Sequence, residues 1–154
     1  MDRAQEGLIP RFERMTELRA TGRCLCGAVR YEVRGSLRDV VNCHCEECAR
    51  WNGGVGAYAA ASAGGLVITG ASLRWIESPR SDRGARRGFC GECGSSLFWD
   101  PSDSDSISIA AGTLDRPTGL QTVGHWYTHQ LGDYYRLPAD GLPRDDRRVT
   151  ALAQ

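Results

Sequence analysis

The chain has 154 residues, 41% hydrophobic and 25% charged, and its 19 basic and 19 acidic residues leave a formal net charge of zero. That length fits one domain able to bury a core without staples, and the neutral balance lacks the basic footprint that nucleic acid or an anionic membrane calls for. No apolar run approaches the roughly 20 residues of a membrane-spanning helix, and residues 1–20 have no leader-like apolar stretch, so the expected setting is the cytoplasm.

Taken in order, Leu8, Phe12, Met15 and Leu18 recur at near-helical spacing, and residues 1–20 read as an extension with a short amphipathic helix. After Gly22 the period changes. Val29, Tyr31 and Val33 alternate with Arg30, Glu32 and Arg34, the pattern of a half-buried strand. Residues 37–42 form a second strand, and 46–51 a helical turn stopped by Asn52-Gly53-Gly54. Short strands are expected at 55–61, 66–69, 73–77, 95–99 and 106–111, the last alternating Ile107 and Ile109 with serines, while 79–84 reads as a polar loop and 86–89 leads into the last cysteine pair. The aspartates of 100–105 resemble a calcium loop only superficially, because the glycine and distal glutamate of that motif are missing. From residue 138 the chain is proline-rich and charged and reads as an irregular arm. The result is a mainly β domain over 21–137, flanked by the extension 1–20 and the arm 138–154.

All seven cysteines fall in three tight clusters: Cys24 with Cys26, Cys43 with Cys45 and Cys48, and Cys90 with Cys93. In a reducing compartment such spacings point to metal ligands or redox sites, and the odd count argues against full pairing as disulfides. Four ligands close a tetrahedral zinc, while three leave a position for water or substrate. One grouping therefore joins the outer pairs into a closed four-cysteine site and leaves Cys43, Cys45 and Cys48 as an open one; the other joins the triplet to one cysteine of a pair and strands the rest. The first uses every thiol. Gly27 and Gly91 or Gly94 would let the backbone curl until paired sulfurs converge. An iron–sulfur cluster and a Cys90/Cys93 redox dithiol are the competing chemistries.

Three thiolates around a divalent ion leave a net negative charge, making the metal a weak activator of water. A fourth, exogenous thiol suits the site better, since the metal lowers its pKa and holds it as the nucleophilic thiolate. A second structural zinc, completed by His44, His125, His129 or a carboxylate, is the plainer alternative. His44 lies between two ligands and should turn away from the metal, beside it or toward substrate. Glu46 and Glu47 read as helix-start acids or proton carriers. Candidate partners for substrate carboxylates are Arg50, Arg86 and Arg87, with Trp51, Trp99 or Trp126 as apolar walls and residues 125–129 as a possible closure.

The motifs Gly22-Arg23-Cys24-Leu25-Cys26-Gly27, Cys43-His44-Cys45-Glu46-Glu47-Cys48, Phe89-Cys90-Gly91-Glu92-Cys93-Gly94 and Ala111-Gly112-Thr113-Leu114-Asp115 resemble, in order and spacing, the glutathione-dependent formaldehyde-activating enzyme family, small zinc proteins that include a vertebrate centromere protein. The resemblance implies an antiparallel β-tent with two zinc ions. Cys24, Cys26, Cys90 and Cys93 would hold the structural ion, and Cys43, Cys45 and Cys48 the catalytic one. It further implies a carbon–sulfur lyase that reversibly joins glutathione and formaldehyde as S-hydroxymethylglutathione, with a small thiol such as glutathione as its partner. A non-catalytic zinc-binding module and a glutathione-adduct carrier are the rival expectations.

Overall fold

The structure, a computed structural model, describes residues 16–145. Most of the helix expected over residues 1–20 lies outside that range, and its last residues are not helical. Leu18–Arg23 is a strand, β1, paired antiparallel with β2, Arg30–Arg34. The domain thus begins before residue 21. Leu18 is half exposed and contributes no apolar helix face; its segment extends because the backbone of β2 offers it a ladder.

The other elements are β3 (Leu37–Cys43), the helix α1 (Glu46–Asn52), β4 (Gly56–Ser62), β5 (Leu66–Thr69), β6 (Leu73–Glu77), β7 (Arg86–Cys90), β8 (Ser96–Asp100), β9 (Ser106–Ala110), β10 (Thr122–Trp126) and β11 (Arg144–Asp145). Strands β1, β2 and β5 make a small sheet; the large one runs β11-β10-β3-β4-β9-β8-β7-β6. From β3 to β6 every pairing is antiparallel. Within this mainly antiparallel architecture β10 is the exception, running parallel to both β3 and β11. Residues 138–145 are accordingly less irregular than their composition suggests, since β11 adds to the sheet edge and Pro143 and Asp145 accept backbone hydrogen bonds from His125 and Tyr127.

Strand alternation sorts the large sheet into two faces. One face carries Ala59, Ala61, Phe98, Ile107 and Ile109 into a core completed by Val29, Tyr31 and Val33 of the small sheet. Tyr31 meets Phe98 edge-on, ring centroids 5.2 Å apart, and its hydroxyl pairs with Thr113 Oγ1 at 2.7 Å. On the opposite face Ala60, Ser106 and Ser108 are small, and that economy leaves a hollow over the middle of the sheet. The serines that alternate with Ile107 and Ile109 are its floor.

One irregularity decides what else faces the hollow. Strict alternation along β3 would set Arg38 on the face opposite Val41 and Cys43. The β3–β4 register shifts between Arg38 and Val41, and an extra residue in a ladder re-aims the side chains on either side of it. Arg38, Val41 and Cys43 consequently all line the same cavity.

Candidate functional site

Cys24, Cys26, Cys90 and Cys93 bring four sulfurs within 4.8 Å of one another. Each pair sits on a turn that its backbone closes: Gly27 N–H donates to Cys24 C=O at 3.1 Å, and Gly94 N–H to Cys90 C=O at 2.8 Å. Gly27 and Gly94 hold φ of 80° and 75°, the left-handed region where a side chain is strained, whereas Gly91 does not. Val29 N–H donates to Cys24 Sγ at 3.3 Å, and Leu25 N–H to Ser95 Oγ at 2.9 Å. The cluster therefore ties the β1–β2 turn to the β7–β8 turn, fastening the small sheet to the large one. Sulfur separations of 3.6 Å for Cys24–Cys26 and 3.8 Å for Cys26–Cys90 are far from a disulfide bond. They match the edge of about 3.8 Å that a tetrahedron with metal–sulfur bonds of about 2.3 Å requires.

Cys43, Cys45 and Cys48 form a second cluster within the same 4.8 Å limit. Cys43 ends β3, Cys45 caps α1 by accepting from Cys48 N–H at 3.3 Å, and Cys48 is buried in the first turn of α1. The helix stops where Gly53 takes φ 73°. Packed this closely, the sulfurs share protons. Hydrogen bonds from Cys43 and then Cys48 hold the Cys45 thiol down at about 2, while the bond to Cys45 is the first cause that drives Cys43 up. Cys48 accepts from Cys43 yet is pushed up to about 11 by Cys45 and by burial. Only a cation can hold all three as thiolates together, so the donor set fits a soft divalent metal.

No histidine or carboxylate joins this cluster among the described residues. His44, 3% exposed, turns away from the cavity. Asp140 Oδ2 accepts from His125 Nε2–H at 2.9 Å, and His125 Nδ1 shares a hydrogen bond with His44 Nε2, also at 2.9 Å. That buried series binds the arm, β10 and the cysteine loop together. His129 is exposed and does not line the cavity.

The triplet opens onto a cavity of about 400 Å³, within the range of small-molecule sites. Arg87, the one member of the expected arginine trio that reaches it, is 2% exposed. Its Nε donates to Ser78 Oγ at 2.9 Å, its Nη2 lies 3.5 Å from Glu47 Oε1, its guanidinium stands 5.7 Å from the Trp51 ring centroid, and its Nη1 has no partner. Burial is the largest influence and opposes that charge, but Cys48, Tyr58 and Glu47 together outweigh it and the pKa is raised. Glu47 also accepts from Ser78 Oγ–H. Arg50 and Arg86 lie elsewhere, paired with Glu46 and Asp100. Trp99 and Trp126 form walls as expected, whereas Trp51 sits behind Arg87, its Nε1–H donating to Ser96 Oγ at 2.6 Å.

Residue-by-residue reading misses Arg38, Arg80 and Arg83, which also line the cavity, as does Tyr127 of the segment 125–129. Tyr127 follows β10 with φ 57°, a conformation unfavourable for an aromatic residue and of the kind that concentrates at functional sites. It forms part of the 125–129 closure. Gln130 Oε1 accepts from Glu46 N–H at 3.0 Å, pinning that closure to the first turn of α1.

The family model for the glutathione-dependent formaldehyde-activating enzyme matches residues 19–130. The chain belongs to this family. The matched span holds both cysteine clusters and the cavity of this formaldehyde-activating enzyme relative, and excludes the arm that pairs with β10. A crystal structure of a Rhodobacter sphaeroides protein superposes on it with a TM-score of 0.53, covering 80% of this chain and 98% of that one at 24% identity. At that identity the likeness concerns the fold. A search of curated proteins gives no match. Among the described residues no helix is long and apolar enough to cross a membrane.

Proposed function

We propose that the protein is a zinc-dependent carbon–sulfur lyase acting on an adduct between a small thiol and an aldehyde, with glutathione and formaldehyde as the pair its family membership suggests. The observation that carries the reading is a three-sulfur cluster with no fourth protein donor among the described residues, opening onto a cavity of about 400 Å³. A zinc ion held there would supply one thing, stabilisation of an incoming thiol as its thiolate. Cys43, Cys45 and Cys48 would hold it, while Cys24, Cys26, Cys90 and Cys93 would hold a structural ion.

The remaining work falls to the chain. Arg87 offsets the negative charge of the thiolates from within the protein, where few water molecules can do so. Glu47, on the cavity wall and fixed by Ser78 and Arg87, is the proton carrier: it accepts the thiol proton and returns it to the carbonyl oxygen as the carbon–sulfur bond forms. Trp99, Trp126 and Tyr127 exclude water from the bond being made, which favours retention of the adduct over hydrated formaldehyde. A cytoplasmic setting, where thiols stay reduced, suits this chemistry.

Exchange NMR of glutathione mixed with labelled formaldehyde tests the proposal. Wild type should accelerate exchange between free and adduct carbon, and Cys45→Ser should not. Exchange at the buffer rate with fully metal-loaded wild type would overturn it, and glutathione binding without acceleration would favour the carrier reading.

A further inference from the structure

Resting on that thiol reading, we infer that Arg38 is the carboxylate anchor of the cavity and selects an anionic, peptide-sized thiol over small uncharged ones. Four arginines line the hollow, and three are already answered by carboxylates: Arg80 by Glu46, Arg83 by Asp103 and Arg87 by Glu47. Arg38 differs. Its Nη1 donates to its neighbour's carbonyl, Asp39 C=O, at 2.7 Å, its Nη2 to Tyr58 C=O at 3.3 Å, and no ion pair among the described residues includes it. It is half-buried, and burial lowers its pKa. The adjacent Asp39 carboxylate makes no ion pair with it and offsets burial only in part, so a guanidinium withdrawn from water and hydrogen-bonded to carbonyls keeps its charge and N–H donors for a planar anion.

Its place relative to the metal cluster sets the size of that anion's carrier. The ladder registers align Arg87, Trp99, Ser108, Ala60 and Arg38 in one row across β7, β8, β9, β4 and β3. The row has a cation at each end and small side chains at Ser108 and Ala60. Arg87 stands near the thiolates, and Arg38 lies five positions before Cys43 on the same strand, about 16 Å along the backbone. A thiol and a carboxylate on adjacent carbons, as in cysteine itself, fall well short of that span. In glutathione the thiol sits on the middle residue, so its extended reach to a terminal carboxylate is about 7–9 Å, and the Arg38 side chain at one end and the cysteine side chains at the other cover the difference. The shifted register between Arg38 and Val41 has a reason on this account, because it brings the anchor to the face that carries Cys43.

The test is a binding cycle read from the absorption of the cobalt-loaded protein. Wild type, Arg38→Met and Arg38→Lys are titrated with glutathione, with glutathione diethyl ester, whose carboxylates are blocked, and with 2-mercaptoethanol. The expected result is that Arg38→Met weakens glutathione about ten- to a hundredfold, that Arg38→Lys recovers part of the loss, and that both variants bind the ester and 2-mercaptoethanol as wild type does. Wild type alone should prefer glutathione to its ester by a similar factor, a comparison that needs no folded variant. Equal weakening of all three thiols would make Arg38 a framework residue and overturn the proposal, as would glutathione binding unchanged by Arg38→Met. An ester penalty that persists in Arg38→Met would move the anchor to another arginine. If no thiol perturbs wild type, the thiol reading fails and the anchor fails with it; glutathione and ester binding alike removes the anchor alone.

Discussion

At the scale of single residues, the three-sulfur cluster depends on a charge that the cysteine motifs do not contain. Arg87 is buried against Cys48 and Glu47, and its pKa is raised because Cys48, Tyr58 and Glu47 together outweigh its desolvation. Arg87→Met should weaken metal binding at the triplet about tenfold, equivalent to about 1.4 kcal/mol, and leave the four-cysteine cluster untouched. Competition with a calibrated chelator measures this; an unchanged affinity would show that the guanidinium plays no part in holding the ion. His44 makes a second prediction. Burial, and then the proximity of His125, lower its pKa, so below the ordinary imidazole value of about 6.5 the unfolded chain takes up a proton that the folded one refuses. Stability should fall as pH drops from 7 through 6, and His44→Gln should lose that part of the slope. Denaturant melts of both proteins across this range check it, and identical slopes would contradict it.

At the scale of elements, α1 must sit tightly on β4 for Cys48 to reach its partners. A Cβ on Gly56 would lie 2.6 Å from the Tyr58 ring, 2.9 Å from Asn52 Nδ2 and 3.2 Å from Cys48 Cβ. Gly56→Ala should cost about 1–3 kcal/mol by overpacking and loosen the triplet before the four-cysteine cluster. Thermal melts with metal analysis give both numbers; a variant equal to wild type in both would show that α1 has room to move. Strand β10 depends in turn on the arm. Asp140→Ala removes the acceptor for the buried His125 and should lower the melting temperature and speed amide exchange over 122–126. Unchanged exchange there would show that β3 alone fixes β10.

These elements also mark where sequence legibility ends. The strands at 66–69 and 73–77 and the helix ended by Gly53 follow from local pattern, and the observed bounds agree. Thr122–Trp126 gives no such pattern: Gly124 interrupts it, and it extends only because β3 and β11 supply parallel ladders from distant sequence. The cysteines could be found because each cluster carries its own spacing. Arg38, Arg80 and Arg83 could not, since a lone arginine in a strand or loop reads as solvated, and the face Arg38 takes depends on a register shift that only pairing with β4 reveals.

At the scale of the whole molecule, the proposed function gives two clusters built from one ligand type different tasks. The four-cysteine cluster joins the two sheets at their turns, so its loss should unfasten the fold; the triplet lies on the far face of the large sheet, where its loss should empty a site within an intact frame. Function is separated from the core by one layer of strand. The same strands that bury Ile107, Ile109 and Phe98 on one side present Ser108, Ser106 and Trp99 on the other.

The measurement that tests this division most directly is metal content together with thermal unfolding for wild type, Cys45→Ser and Cys93→Ser. Two zinc ions per wild-type chain are predicted, one in a Cys45→Ser protein that melts close to wild type and no longer responds to thiol, and an unstable fold for Cys93→Ser. A Cys93→Ser protein that keeps both ions and melts like wild type, or a Cys45→Ser protein that unfolds as a whole, would contradict it.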